Sequence, residues 1–297
     1  MEAVLLSHKQ CVVTNLHAGL GNNLFQYTAG LSVVQHLDAR LSFRHDRPTP
    51  SSARLVELLG VDLELATPPL LRRFGFAPPT ASPIRAAQRV RRRIDRSLGR
   101  IQVVRPKGAF EPWNANQIRP DAEATLLRGY FQHPSWFEPS LIVTADRLAQ
   151  RFSRITDPAL GTDATVISFR RGDYVRFGWD LTLDYYATAI DRIGRVDGPI
   201  WVLGDDQVFV ELVKLWLLDK GMVAAKLPDL GVDEVTRDLA LLAFADRVIM
   251  SNSTFCWWGV VAGNPDGRRD DRTVIAPAQW LPQGGNALIR PEWQTIE

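Results

Sequence analysis

A chain of 297 residues, 45% apolar and 23% charged, has the balance of a globular protein with room for about two domains, and is neither disordered nor collagen-like. Its formal net charge of +2 does not indicate a nucleic-acid binder, and no apolar run approaches the roughly 18 residues of a membrane span. Two cysteines, Cys11 and Cys256, make no disulfide framework and suit a reducing compartment. Met1 to Gln10 lack the basic-then-apolar pattern of a signal peptide, so a cytoplasmic location is expected.

The β-branched run Cys11–Leu16 reads as a buried strand. A turn at Gly19 and Gly21 follows, then a helix over Asn22–Leu37 and a strand over Arg40–Phe43. Thr67–Pro83 is proline-rich and reads as a loop. Ile84–Arg100 carries seven arginines, with Ala87, Val90, Ile94 and Leu98 at helical spacing. This basic amphipathic helix is either a solvated face packed on its domain or a contact with an anionic membrane surface or charged acceptor. A strand over Thr125–Tyr130 and a helix over His133–Phe152 lead to a boundary at Thr156–Gly161. The expected domains are 1–158 and 159–297.

The second half alternates more clearly. Strands are expected at Ala164–Phe169, Ile200–Leu203, Ala224–Leu227, Arg247–Met250 and Thr273–Ala276. Helices are expected at Asp184–Ile193, Gln207–Leu218, Asp233–Ala245 and Thr254–Ala262. Such alternation argues for a parallel sheet with helices on both faces, whose ligands bind outside the carboxyl ends of the strands. The residues just after each strand are therefore the place to look for chemistry.

After the first strand, Gly19-Leu20-Gly21-Asn22 permits close backbone approach at a helix N-terminus, which suits a phosphate or an oxygen-rich sugar. A plain turn accounts for it equally well. A dinucleotide fingerprint is the rival reading: Asp38 is well spaced for a ribose, but Leu24 stands where the third glycine belongs. After Phe169, Arg170 and Arg171 point to opposite faces of an extended chain. One can clamp a phosphate while the other pairs with Asp173; a purely structural Arg–Asp pair is the alternative. Asp205 and Asp206 follow the next strand. They can bind a divalent cation or cap the following helix, and capping is favoured because no second acidic cluster is visible. Ser251-Asn252-Ser253-Thr254 can cap a helix and offer hydroxyl and N–H donors to a phosphate.

These segments together resemble the bacterial α-1,2-fucosyltransferases, family 11 of the glycosyltransferases. Ala18-Gly19-Leu20-Gly21-Asn22-Asn23-Leu24-Phe25-Gln26-Tyr27 is similar to that family's Gly-Gly-Leu-Gly-Asn-Gln-Met-Phe-Gln-Tyr opening. Gly129-Tyr130-Phe131-Gln132 is similar to a mid-chain segment, and Phe169-Arg170-Arg171-Gly172-Asp173-Tyr174 to its His-x-Arg-Arg-Gly-Asp-Tyr motif. Leu183–Tyr186 with Ala189-Ile190, then Gly204-Asp205-Asp206, then Asn252–Trp258, and finally Val274–Pro277 with Trp280 continue the resemblance in order. Three positions depart from the pattern. Ser168 replaces the histidine that opens the arginine motif, Ala18 replaces the first glycine, and Cys256 replaces a serine.

The resemblance implies an α/β fold of two Rossmann-like domains facing a cleft, the GT-B arrangement. The N-terminal domain would be the acceptor side and the C-terminal domain would bind the GDP-sugar. It implies GDP-fucose as donor, inversion at the anomeric carbon, no required metal, and the 2-hydroxyl of a galactose-containing glycan as acceptor. Arg170 would contact the β-phosphate, Ser253 and Thr254 the diphosphate, and Asp238 the guanine ring. Gly19, Gly21 and Asn22 would line the sugar side. Asp173 is grouped with Arg170 as catalytic, and Asp180 and Asp184 are the other candidate bases near the arginine motif; late proton loss to a weakly basic site is a further route. Another linkage or GDP-sugar on the same scaffold, or an NAD-linked or non-catalytic Rossmann protein, remain the alternatives. Expected partners are the donor, the glycan and an anionic membrane at its inner face, with no nucleic acid.

Overall fold

A computed structural model gives the fold and describes residues 10–45, 50–76, 82–155, 160, 163–269 and 271–297. The chain forms two compact units, one reaching to Ser140 and the other running on from Leu141, with Leu58–Gly60 grouped into the second. The boundary expected at Thr156–Gly161 lies outside the described residues except for Leu160.

The first unit takes the elements β1 (Cys11–Leu16), α1 (Leu20–Leu37), β2 (Arg40–His45), α2 (Pro50–Leu59), α3 (Pro68–Phe74), α4 (Ser82–Ser97), β3 (Ile101–Val104) and β4 (Ala124–Leu127), with α5 (Pro134–Phe152) carrying the chain onward. The sheet is parallel throughout, in the order β2-β1-β4-β3. Central β1 is buried along its whole length, as a strand covered on both faces must be. Helix α1 lies close on it: a Cβ at Gly30 would stand 2.5 Å from Thr14 Oγ1, so only glycine allows this approach.

The second unit contains β5 (Thr165–Phe169), α6 (Gly172–Phe177), α7 (Leu183–Ile193), β6 (Ile200–Gly204), α8 (Gln207–Asp219), α9 (Glu234–Phe244), β7 (Arg247–Ile249), α10 (Thr254–Ala262), β8 (Thr273–Pro277) and β9 (Gln294–Ile296). Its parallel sheet runs β6-β5-β7-β8-β9. The core gathers Ile167, Phe169, Tyr186, Val202, Ile249 and Ile275 between sheet and helices. Arg272 staples two of those helices. Its buried guanidinium donates to Ala245 O at 3.0 Å, Val260 O at 2.8 Å and Leu242 O, capping carbonyls at the C-terminal ends of α9 and α10.

Both sheets are wound outward from a central pair, which creates a switch point in each. In the first unit the chain passes from β1 to β2 on one side, while β4 lies on the other. In the second it passes from β5 to β6 on one side, while β7 and β8 lie on the other. The carboxyl ends of β1 and β4, and of β5 and β7, are thus where an open α/β sheet receives ligands.

Three expected elements need correction. The loop read over Thr67–Pro83 holds a helix, α3, because its prolines fall at the first helical positions, where the missing N–H is no loss; residues 77–81 lie outside the described residues. The strand read over Ala224–Leu227 is a single bridge from Ala224 to Ile200, so β6 is an edge strand. The strand read to Tyr130 stops at Leu127, which frees Gly129–Gln132 as a loop at the carboxyl end of β4.

Both cysteines are free and buried. Burial pushes the Cys256 thiol from 9.0 up to about 11, against weaker opposing hydrogen bonds from Ser168 and Ser251. At neutral pH a thiol reagent should therefore label neither cysteine in the folded chain and both after unfolding. The folded chain also keeps the Cys256 proton where the unfolded chain loses it. This contribution to stability is complete below pH 9 and is lost as pH rises toward 11. Urea titrations across that window should show a steeper fall for wild type than for Cys256→Ser; parallel curves would contradict the assignment.

Candidate functional site

At the switch point of the second sheet, β5 delivers Arg170 and Arg171 directly onto the one-and-a-half-turn helix α6. Arg170 donates from Nη1 to Asp205 Oδ2 at 2.6 Å and from Nη2 to Asp173 Oδ1 at 2.5 Å. Arg171 pairs with Asp180 at 3.1 Å and with Asp206 at 3.6 Å, and its guanidinium stacks over Phe209 at 4.0 Å. The two arginines do diverge, as an extended chain demands, but the one that takes Asp173 is Arg170 itself. Arg171 is held instead by Asp180 and Asp206.

The acid pair divides its work. Asp206 caps α8, accepting from Phe209 N at 3.1 Å, which agrees with the capping reading. Asp205 turns back to β5 and accepts from the Arg171 backbone N–H at 2.8 Å as well as from Arg170. A Cβ at Gly172 would lie 2.5 Å from Asp205 Oδ2, so the glycine of the arginine motif makes room for the aspartate of the next one. Among the described residues no three His, Cys, Asp or Glu side chains gather as a metal-ligating group.

Beyond β7, Ser253 caps α10 by accepting from Phe255 N at 3.2 Å, and Thr254 opens the helix; both side chains are half-buried. The α10 N-terminus thus stands at the same switch point as Arg170. Tyr174 ties the two together. Its ring lies 5.1 Å from the Arg170 guanidinium, and its hydroxyl donates to Asn252 O at 3.5 Å. Burial raises the Tyr174 phenol, and the charge of Arg170 opposes this in part. The Asn252 amide is wholly buried and donates to Trp179 O at 2.7 Å and Trp280 O at 3.0 Å, pinning the loops after α6 and β8. Tyr185 and Tyr186, both buried, donate to Met250 O and Ser168 O. None of these four anchoring roles was read from the sequence, although Asn252, Tyr174, Tyr185 and Tyr186 all lie inside segments that it singled out.

Asp238 lies in the second turn of α9, whose N-terminus faces the carboxyl edge because the helix runs back into β7. Its carboxyl is pushed up by burial, against the neighbouring Arg237, which donates twice to Oδ1. Asp184, in the first turn of α7, is exposed. Ser168 and Ser251 are buried and share a hydroxyl hydrogen bond of 3.1 Å across β5 and β7, and the Cys256 thiol completes a trio with them. Two of the three departures from the family pattern therefore touch.

In the first unit the glycine loop and the segment after β4 also come together. Gln26 accepts from His17 N at 3.0 Å and donates to Gly129 O at 3.2 Å, while Gln132 donates to Asn22 Oδ1 at 2.6 Å. Gly19 is the N-cap of α1, with Gly21 buried in its first turn. Asn23 donates to His17 O and Gly19 O, fixing the loop. Ala18 takes the left-handed conformation, φ 66°, which explains a glycine at this place in the resembling pattern.

No protein-family model matches the chain. The chain is 27% identical over 127 residues to the O-antigen biosynthesis glycosyltransferase WbnK of Escherichia coli, a match that takes in 40% of this chain and only 39% of that protein. Among solved structures it is similar to a mutant of Arabidopsis thaliana FUT1 in complex with GDP, with a TM-score of 0.51 and 12% identity, covering 88% of this chain and 70% of that one. It is also similar to the fucosyltransferase NodZ from Bradyrhizobium, with a TM-score of 0.42 and 13% identity, covering 86% of this chain and 93% of that one. The likeness to FUT1 is one of fold: two Rossmann-like α/β domains.

The Ala18 conformation has a measurable consequence. A left-handed residue with a Cβ costs about 1–2 kcal/mol, and glycine gives back up to about 1 kcal/mol of that through a looser unfolded chain. Ala18→Gly should therefore stabilise the protein by about 0.5–1 kcal/mol in urea unfolding. A destabilised variant would show that Ala18 is not left-handed.

Proposed function

We propose that the chain is a nucleotide-sugar glycosyltransferase, and more narrowly an inverting one that moves fucose from GDP-fucose to the 2-hydroxyl of a galactoside. One observation carries the reading. A fork-shaped cation, Arg170, and a helix N-terminus carrying Ser253 and Thr254 stand at one switch point, linked by Tyr174. Such donors suit a diphosphate leaving group, whose charge grows as the bond from the anomeric carbon to phosphate oxygen breaks. The order of the family-like segments, the fold shared with FUT1 and the partial match to WbnK support it.

In this reading Arg170 takes the β-phosphate, Ser253 and Thr254 the diphosphate, and Asp238 the guanine. Gly19, Gly21 and Asn22 serve the sugar from the first unit. A phosphate on Arg170 competes with Asp173, whose side chain is 54% exposed against 29% for Asp205. Asp205 stays as the positioning partner, and Asp173 is released to take the proton as the acceptor oxygen bonds to the far face of the anomeric carbon. No divalent cation is needed, since Arg170 and the helix N-terminus neutralise the leaving group and Asp205 and Asp206 are turned to arginines and a helix cap. Ser168, standing where the family pattern has histidine, favours a second reading in which the donor is a different GDP-sugar.

The deciding experiment is incubation with GDP-fucose and a panel of β-galactoside-ended glycans in EDTA, with linkage analysis of the product. An α-1,2 product is expected; transfer from another GDP-sugar alone selects the second reading. Tryptophan fluorescence should respond to GDP and not to NAD. Arg170→Lys and Arg170→Ala should each lower turnover at least about 100-fold, because lysine keeps the charge and loses the fork. Arg171→Ala should chiefly lower the melting temperature. Near-normal turnover in Arg170→Lys, or equal catalytic loss at both positions with unchanged melting, would refute these roles.

A further inference from the structure

From Val90 onward, where its side chains are described, helix α4 is inside out. Asp95 is its sole acidic residue and is buried, paired with Arg73 at 3.3 Å; Arg73 in turn reaches Glu123 at 2.7 Å. Arg92 bends the same way: a Cβ at Gly75, the C-cap of α3, would lie 2.1 Å from Arg92 Nη1. The inward arc is therefore polar and ion-paired. The apolar stripe faces out. Val90, Ile94 and Leu98, spaced four residues apart on one face, are 57%, 50% and 59% exposed. Arg91, Arg93 and Arg96 are exposed on either side of it. A helix packed on a soluble domain does the reverse, burying its stripe and solvating its charges.

We propose that this face of α4 docks on an anionic phospholipid membrane. Two observations select the occupant. Among the described residues the outward arc carries cations, aliphatic side chains and Ser97 and no acid, so its charge complements lipid phosphates. A bilayer answers both parts at once, with headgroups for the arginines and the acyl boundary for the stripe, whereas a polyanion in water leaves the aliphatic side chains in solvent. The helix lies along the surface, and among the described residues no helix is long and apolar enough to cross. The proposal does not depend on the glycosyltransfer reading.

Co-sedimentation of the full chain with phosphatidylglycerol-containing vesicles tests it, beside pure phosphatidylcholine vesicles, at low and high salt. Wild type should pellet with the anionic vesicles only, and high salt should weaken this. Arg91→Glu with Arg93→Glu should weaken partitioning by about fivefold or more per residue. Ile94→Ser with Leu98→Ser should lower it by about tenfold, at both salt levels, without changing melting temperature, since these side chains are exposed. Failure of wild type to pellet with anionic vesicles, or full retention by the Ile94–Leu98 variant, overturns the proposal. Equally tight binding to soluble heparin, indifferent to Ile94 and Leu98, overturns it in favour of a polyanion.

Discussion

The carboxyl edge of the second sheet depends on Asp205. One of its oxygens takes the Arg170 guanidinium and the other the Arg171 backbone N–H, so a single side chain fixes both the exit of β5 and the direction of its first arginine. With the chain held there, Arg171 meets Asp180 and Asp206, and α6 starts at once. Gly172 is the price of this closeness, since any larger residue would meet the carboxylate. Truncating Asp205 would leave two donors without acceptors, each worth about 1–3 kcal/mol where water cannot replace it.

The same economy holds on the far side of the sheet. Arg272 gathers three carbonyls from two helix ends, and a Cβ at Gly263 would stand 1.9 Å from Ala243 O, so α9 and α10 meet backbone to backbone. That contact sets where β7 lies between its helices and hence where Asn252, Ser253 and Thr254 emerge. The edge that carries the candidate chemistry is positioned from the opposite edge of the same sheet.

Much of this was legible in the sequence. β-Branched runs such as Cys11–Leu16 and apolar helices such as Thr254–Ala262 appear where expected, because elements buried on both faces must be apolar nearly throughout. Short or exposed elements did not announce themselves. The strand β9 has three residues, two of them exposed, and β3 has four. Prolines that open α3 look like breakers when read singly. Within the site, the cap role of Asp206 was readable because the N–H that it accepts lies three residues on, while the pairing of Asp205 was not, because Arg170 lies 35 residues back. Local chemistry can be read from neighbours; chemistry made by a crossover has to wait for the sheet.

The buried trio of Ser168, Ser251 and Cys256 bears on how such a chain diverges. Two of its members differ from the resembling family's pattern, and they differ at a point of contact. Exchanging serine for histidine at 168 changes the volume and the donors available to position 256, and the reverse exchange finds the wrong neighbour. The two positions therefore share one packing problem, and placing histidine at residue 168 without also changing residue 256 will misjudge what residue 168 does.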